Sequence, residues 1–346
     1  MSDILLKPYW LVLLLLVVFY RDRYTVEALS SSFQTKNTLF ETYRSLASFA
    51  ANEVAASARA EILPYWRKLP EDMAYETKYD QDNNRSVSQT TSPVTIADRN
   101  AEQAMRKLIL NRYPDHGVVG EEFGSHNKDA EYCWVLDPID GTKSFITGKP
   151  LFGTLIGLCH KGVPVVGVID HPATDEQWVG IVAPTTTAAA KTTTTDAVTV
   201  TEEMDIPAAT SVATMNGTPI HTRSVESLQD AILYATTPHM FREDENERQR
   251  FEKVRDACQI PLYGADCYGY ALVASGFGAH LVVEADLGVY DYAAVVPVVT
   301  AAGGVMTDWR GQPLTLQNHS ASKGRVVAAA DAQLHEQALE LLRGES

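Results

Sequence analysis

Twelve residues constrain this chain more than any other stretch: Trp134-Val135-Leu136-Asp137-Pro138-Ile139-Asp140-Gly141-Thr142-Lys143-Ser144-Phe145. The first three are apolar and read as the end of a buried strand. Two carboxylates then follow three positions apart, separated in part by a proline that holds the chain extended. Gly141-Thr142 lets the chain turn into a short helix, whose first N–H groups have no partner within the helix and suit an anion. One loop thus offers carboxylates to a hard cation and, one residue later, backbone donors to a phosphate.

Other acids stand where strands end or helices begin: Asp98, Glu121, Glu122 and Asp291. Singly, each is an ordinary helix cap or turn residue, and Asp98 and Asp291 fit that role well. As a set beside Gly and Pro breaks they fit a different chemistry. Hard divalent ions take oxygen ligands, and Mg²⁺ binds a few carboxylates together with substrate phosphate. Two ions about 4 Å apart can hold the attacking and leaving oxygens of an in-line displacement. Asp137 is central to the set and is the natural bridge between them. Thr142 is left to orient a water, with Asp98 accepting from its hydroxyl.

Other motifs fail. Gly141-Thr142-Lys143-Ser144 lacks the upstream glycine and the residue order of a P-loop, and neither H-E-x-x-H nor G-x-S-x-G occurs. The formal charge of −15 argues against a nucleic-acid partner, since no excess of Lys and Arg exists to displace counterions. Bound cations would let so acidic a protein attract a phosphate ester. Cys133, Cys159, Cys258 and Cys267 form no C-x-x-C pair, and no disulfide framework is expected.

At 346 residues the chain has length for two lobes, 35–200 and 201–346, behind an N-terminal segment, 1–34. Tyr9 to Tyr20 is continuously apolar, short for a membrane span and close to the length of a signal-peptide core. A targeting signal, a membrane anchor and an upstream extension all fit it. The location follows that choice: cytoplasmic or organellar, plastid-like, after targeting, or anchored through residues 9–20. Any membrane contact would be through this segment.

Apolar residues from Leu39 to Ile62 recur at three- and four-residue steps, which predicts a long helix over 38–63, closed by Pro64. Residues 70–92 are polar and read as an excursion. Ser92–Asp98 leads into a second helix, and Val118–Glu122 is a brief strand. Thr154–Cys159, Val163–Asp170 and Gln177–Val182 read as an antiparallel meander with Lys161-Gly162 as its first turn. Residues 184–196 are a low-complexity insertion. Further on come Asn216-Gly217 as punctuation, a strand over 230–236, a helix from 243 to 258, a small-residue helix within 264–277 and a strand over 281–284. An apolar helix from Asp291 follows, kinked at Pro297. Helices alternating with strand blocks predict a layered α/β sandwich with the acidic loops meeting between lobes.

Gly120-Glu121-Glu122, the Trp134–Thr142 stretch, and Tyr290-Asp291-Tyr292-Ala293-Ala294 through Ala302-Gly303-Gly304 resemble the signature blocks of the inositol monophosphatase superfamily. Ser92–Asp98 matches as well, and the resemblance covers roughly residues 40–342. It implies an αβαβα sandwich, Mg²⁺-dependent and lithium-sensitive phosphatase activity on a small phosphate monoester, and a homodimer. It also implies that Glu121, Asp137 and the Ile139 carbonyl hold one Mg²⁺, and that Asp137, Asp140 and Asp291 hold a second. Glu121 helps a weaker third, Glu122 stands behind the ligands, and the Gly141 and Thr142 amides meet the phosphate.

Within the superfamily, Lys143, the run Ile232–Phe241, Gly264-Ala265-Asp266-Cys267-Tyr268 and Val282-Val283-Glu284 resemble the histidinol-phosphate phosphatase branch, which serves histidine biosynthesis. An ammonium and an imidazole on the substrate call for acids, and Asp266 and Glu284 are the candidates, with Lys143 beside them. The departures are the apolar N-terminus, the insertion, and Ala265 where the branch tends to carry glycine. Inositol monophosphates or a nucleotide 3′-phosphate are the alternative substrates, and a non-catalytic metal- and phosphate-binding scaffold is the alternative class.

Overall fold

The spacing of apolar residues that predicts the first helix is what buries it. In a computed structural model describing residues 37–68, 75–79, 91–184, 210–241 and 245–344, residues 37–49 are helical. They continue through a π-helical turn, Ala50–Val54, into Ala55–Ile62; together these form α1. Pro64 lies in the single 3₁₀ turn, Leu63–Tyr65, that ends it. Tyr43–Val182 and Ser211–Ser346 make up one compact unit. The other, Met1–Thr42 with Ala183–Thr210, falls almost wholly outside the described residues. So do the segment expected at 1–34 and nearly all of the expected insertion at 184–196. Among the described residues no helix is long and apolar enough to cross a membrane.

The polar excursion expected over 70–92 is in part regular structure. β1 (Tyr75–Tyr79) pairs antiparallel with β2 (Thr91–Thr95), from Tyr75 opposite Thr95 to Tyr79 opposite Thr91. Backbone pairing needs no apolar pattern, so polarity alone misreads it. α2 (Ile96–Arg112) follows directly.

Strands β3 (Gly117–Gly120), β4 (Gly124–His126), β5 (Tyr132–Asp140), β6 (Gly153–His160), β7 (Val163–His171), β8 (Glu176–Ile181), β9 (Val212–Met215) and β10 (Thr218–Pro219) form an eight-stranded sheet. Its order is β10-β9-β8-β7-β6-β5-β3-β4. The expected meander is present, and the Lys161-Gly162 and Asn216-Gly217 turns close hairpins with positive φ at both residues. A five-stranded sheet is ordered β12-β11-β13-β15-β14, from β11 (Ile232–Ala235), β12 (Ile260–Tyr263), β13 (Leu281–Glu284), β14 (Val305–Thr307) and β15 (Val326–Ala329).

The remaining helices are α3 (Thr142–Ile146), α4 (Glu245–Ala257), α5 (Cys267–Ser275), α6 (Val289–Tyr292), α7 (Val295–Ala301), α8 (His319–Ser322) and α9 (Ala332–Arg343). Strand alternation assigns them to layers. Val282, Val326 and Ala328 join Leu155, Ile169, Trp178 and the apolar faces of α5 and α7 in one core. Their neighbours Leu281, Val283, Val327 and Ala329 join Phe251, Val254, Leu334 and Leu339 of α4 and α9 in another. α5 and α7 therefore lie between the sheets, with α4 and α9 outside the smaller one. On the far face of the larger sheet Asp170, next to inward Ile169, receives a two-pronged ion pair from Arg59 of α1 at 2.7 Å. The result is the αβαβα sandwich.

The middle layer sits tight because the large sheet is bare there. Gly157, Gly167 and Gly180 stand abreast on β6, β7 and β8. A Cβ on Gly167 would lie 1.8 Å from the Ala294 carbonyl oxygen, and one on Gly180 would lie 2.4 Å from the Val298 Cα. The apolar helix expected from Asp291 is broken into α6 and α7 at Ala293-Ala294, not kinked at Pro297. Pro297 lies in the first turn of α7, where its missing N–H costs nothing, and its ring opposes helical hydrogen bonding at Ala293. All four cysteines are free and buried.

Candidate active site

In a regular strand, residues three apart point to opposite faces. Asp137 and Asp140 nevertheless converge. Against β6, Asp137 pairs with Leu155 and Asp140 with Gly153, so β5 fits three steps where β6 takes two. This bulge turns Asp140 back to the inner face. The buried Thr154 hydroxyl donates to the Pro138 carbonyl at 2.8 Å and pins the irregular backbone.

Asp291 comes from α6 in the middle layer. One oxygen each from Asp137, Asp140 and Asp291 lie within 4.8 Å of one another. Each is held by backbone or burial. Asp291 Oδ2 accepts from the Gly288 amide at 2.6 Å, and Asp140 Oδ2 accepts from the Cys267 amide at the start of α5, also at 2.6 Å. Asp137 is buried, and its Oδ1 accepts no hydrogen bond among the described residues. β3 runs parallel to β5 with Gly120 level with Leu136, which brings Glu121 beside Asp137.

The electrostatics follow from that crowding. Burial, then the charges of Glu121, Asp140, Asp291 and Asp98, hold the Asp137 carboxyl well above the ordinary range. Burial and then Asp266 push Asp140 up to about 8. Burial, Asp140 and Glu121 raise Asp291 likewise. An all-oxygen donor set under mutual repulsion is what a hard divalent cation relieves. The residues present therefore fit such an ion.

The other expected site residues take varied places. Asp98 is buried on the first turn of α2 and bears on Asp137 through its charge. The Thr142 hydroxyl donates to the Ile139 carbonyl at 3.0 Å, so in this structure its proton is directed there and not to Asp98. Gly141, at φ +83°, caps α3, and a side chain on it would strike the Leu151 carbonyl and the Asp266 carboxylate. Lys143 is exposed, with its charge near Asp266. Asp266 stands beside Asp140 and Ser144, at φ +47° and ψ −136°. Such a backbone is uncommon away from glycine and tends to occur at functional sites. Glu284 is buried and engaged within the fold. Its two oxygens accept from the Thr236 amide at 2.8 Å and the Tyr270 hydroxyl at 2.7 Å, which makes it a brace between β11 and α5.

Several residues that matter escape a reading of the sequence. Glu102, buried on α2 four residues after Asp98, accepts from the Glu122 amide at 2.7 Å and the Phe123 amide at 3.2 Å, and pairs with Arg106. It therefore clamps the turn that carries Glu121 and Glu122. Its position one helical turn from Asp98, on the buried face, was the available signal. Tyr290 lies in the field of Asp291, Glu121 and Asp137, its phenol pushed up chiefly by burial. Behind Asp140, Cys267 Sγ lies 3.3 Å from His171 Nε2, and burial lowers the His171 pKa to about 3, keeping the ring neutral.

Glu102→Gln replaces one acceptor oxygen with a donor that cannot receive an amide. It should raise the Mg²⁺ concentration needed for half-maximal phosphate release by about tenfold, the usual cost of losing a partner behind the ligands. A metal titration of the variant checks this, and an unchanged midpoint would remove Glu102 from the site.

Comparison with known proteins agrees with this geometry. The family model described as "Inositol monophosphatase family" matches residues 44–346. The "Bifunctional phosphatase IMPL2, chloroplastic" of Arabidopsis thaliana is 46% identical over 72% of this chain and 65% of that protein, just under two thirds of its length. A histidinol-phosphatase of Chlorobaculum parvum is 34% identical over 64% of this chain and 74% of its own. Among solved structures, an inositol monophosphatase from Zymomonas mobilis superposes with a TM-score of 0.64 at 36% identity, covering 87% of this chain and 98% of that one.

Proposed function

The chain belongs to the inositol monophosphatase family and is a phosphatase, and on that premise we propose that it hydrolyses L-histidinol phosphate with Mg²⁺, a late step of histidine biosynthesis. The observation that carries the choice of substrate is Asp266. It is a further acid beside the three-carboxylate cluster, held against Gly141 at the start of α3 and not used to complete that cluster. A carboxylate there attracts a phosphate ester whose organic part is cationic through its charge, whereas to a neutral polyol it offers only acceptor sites for hydroxyls. The histidinol-phosphatase of Chlorobaculum parvum supports the same reading.

Glu121, Asp137, Asp140, Asp291 and the Ile139 carbonyl are the groups that would hold the metal. Bound there, Mg²⁺ supplies Lewis acidity toward the phosphoryl oxygens and lowers the pKa of water. The protein's own residues do the rest. The Gly141 and Thr142 amides at the start of α3 orient the phosphate. The Thr142 hydroxyl is placed to guide the attacking water once its proton is free of the Ile139 carbonyl, with Asp98 as its acceptor. Asp266 binds the ammonium or imidazolium end, and Lys143 balances its charge. The chloroplastic Arabidopsis relative supports an organellar address, with residues 1–34 as the targeting segment.

Initial rates on histidinol phosphate and inositol 1-phosphate, side by side, test the proposal. We expect kcat/KM to favour histidinol phosphate by about tenfold or more, the scale of one charge-assisted contact. Asp266→Asn should remove most of that preference through KM. A preference for inositol 1-phosphate would reject histidinol phosphate as the substrate, and an unchanged KM in Asp266→Asn would remove Asp266 from the site.

A further inference from the structure

Away from the carboxylate cluster, four guanidinium groups converge on one cavity of about 140 Å³. They are Arg250 of α4, Arg310 of the turn after β14, Arg325 just before β15, and Arg343 at the end of α9. Trp309, Ser322, Leu342 and Asp308 complete the wall. None of these belongs to the candidate active site. We propose that this cavity binds a small tetrahedral oxyanion of the phosphate type.

The cavity is built by the fold. Asp308 Oδ1 accepts from the amides of Arg310 and Gln312, both at 2.8 Å, and so fixes the turn that presents Arg310. Two glycines make room for guanidinium groups. A Cβ on Gly311, at φ +80°, would lie 2.8 Å from Arg343 Nη2, and one on Gly344, at φ +71°, would lie 3.3 Å from Arg250 Nε. The Arg325 guanidinium carbon is 5.8 Å from the centre of the buried Trp309 ring.

Charge and size select the ligand. Arg325 pairs with Glu247 at 2.6 Å and Arg343 with Glu336 at 2.8 Å. Arg250 and Arg310 make no side-chain ion pair among the described residues. Four arginines and a single acid, Asp308, line the cavity, within a chain whose overall balance is −15. Guanidinium donors arriving from four segments match an anion that offers oxygens in several directions, whereas a planar carboxylate satisfies one fork. The volume is well below the roughly 300–1,000 Å³ of pockets for drug-sized ligands and matches a small anionic group.

Calorimetric titration of the full-length chain with inorganic phosphate, at fixed ionic strength and with Mg²⁺ present, tests the assignment. Asp137→Asn serves as the background, so that the carboxylate cluster adds no phosphate site. That chain should bind one phosphate, and Arg250→Gln or Arg310→Gln added to it should weaken binding by about tenfold or more, as the loss of a charged hydrogen bond requires. A parallel titration with glycerol 2-phosphate separates the sources. Tighter binding of the ester points to the phosphate group of a metabolite, and tighter binding of orthophosphate points to the free ion. No binding to the Asp137→Asn chain, or binding untouched by both arginine substitutions, overturns the proposal. Circular dichroism melts establish that each variant is folded, and the exposed Arg310 supplies the second variant if Arg250→Gln does not fold.

Discussion

Asp137→Asn should cut phosphate release by about a hundredfold or more and, in the metal-free chain, raise the melting temperature. Both outcomes have one cause. Asp137 is the buried centre of a set of carboxylates whose charges oppose one another, and its removal takes away both a proposed ligand and the repulsion. Loss of a mere supporting partner costs about 10–100-fold in such sites, so loss of the central ligand lies at or beyond that range. The pH dependence gives the sign. A carboxyl whose pKa is higher folded than unfolded holds its proton more tightly in the native state. Its contribution to stability is complete below the unfolded pKa near 4 and is lost as pH rises through the folded value, which is about 8 for Asp140. Metal-free wild type should therefore melt lower at pH 8 than at pH 5, by about 5 °C or more. Asp137→Asn should flatten that slope, and saturating Mg²⁺ should reverse it in wild type by binding the native state alone. Thermal melts across pH, with chelator and with Mg²⁺, measure all three. A metal-free chain that gains stability toward pH 8 would show that the carboxylates are not in mutual repulsion.

Gly167→Ala is expected to be nearly as damaging, although Gly167 contributes no functional atom. The added methyl would meet the Ala294 carbonyl oxygen at 1.8 Å, and that oxygen belongs to main chain, which cannot rotate aside. The segment must lift off the sheet, and it is the segment that carries Asp291 at its start. Overpacking of this kind costs about 1–3 kcal/mol, or a fall in melting temperature of roughly 1–4 °C in a chain of this length. The more telling readout is metal dependence. If α6 shifts with α7, the Mg²⁺ midpoint rises along with the loss of stability, whereas local relaxation would lower stability and leave the midpoint alone.

The sequence made the carboxylate cluster legible because its members sit inside compact motifs of chemically matched residues. Asp137, Asp140 and Asp291 could be named without knowing how the chain brings them together. The long helix from Leu39 and the β6–β8 meander were legible for the plainer reason that one face of each is apolar. What stayed hidden depends on contacts remote in sequence. The bulge that returns Asp140 to the inner face is a relation between β5 and β6, and nothing within the Trp134–Phe145 stretch declares it. Glu102 looks like any helix glutamate until the amides of Glu122 and Phe123 are seen to converge on it. The partners of Glu284 were equally hidden, since Tyr270 and the Thr236 amide reach it from elsewhere in the chain. Gly157, Gly167 and Gly180 are unremarkable apart and acquire meaning only when pairing sets them side by side.

The surplus residue in β5 also governs how this molecule can change over time. Loops elsewhere can lengthen or shorten by one without disturbing their flanks, but between Asp137 and Asp140 the count itself is the mechanism. A single insertion there, with one bulge kept, would swing the second acid, with Gly141 and the helix behind it, toward the opposite layer, whereas loss of the bulged residue would leave the acids two apart and on one face. No side-chain exchange could undo that rotation, so this short interval cannot be lengthened as an ordinary loop can.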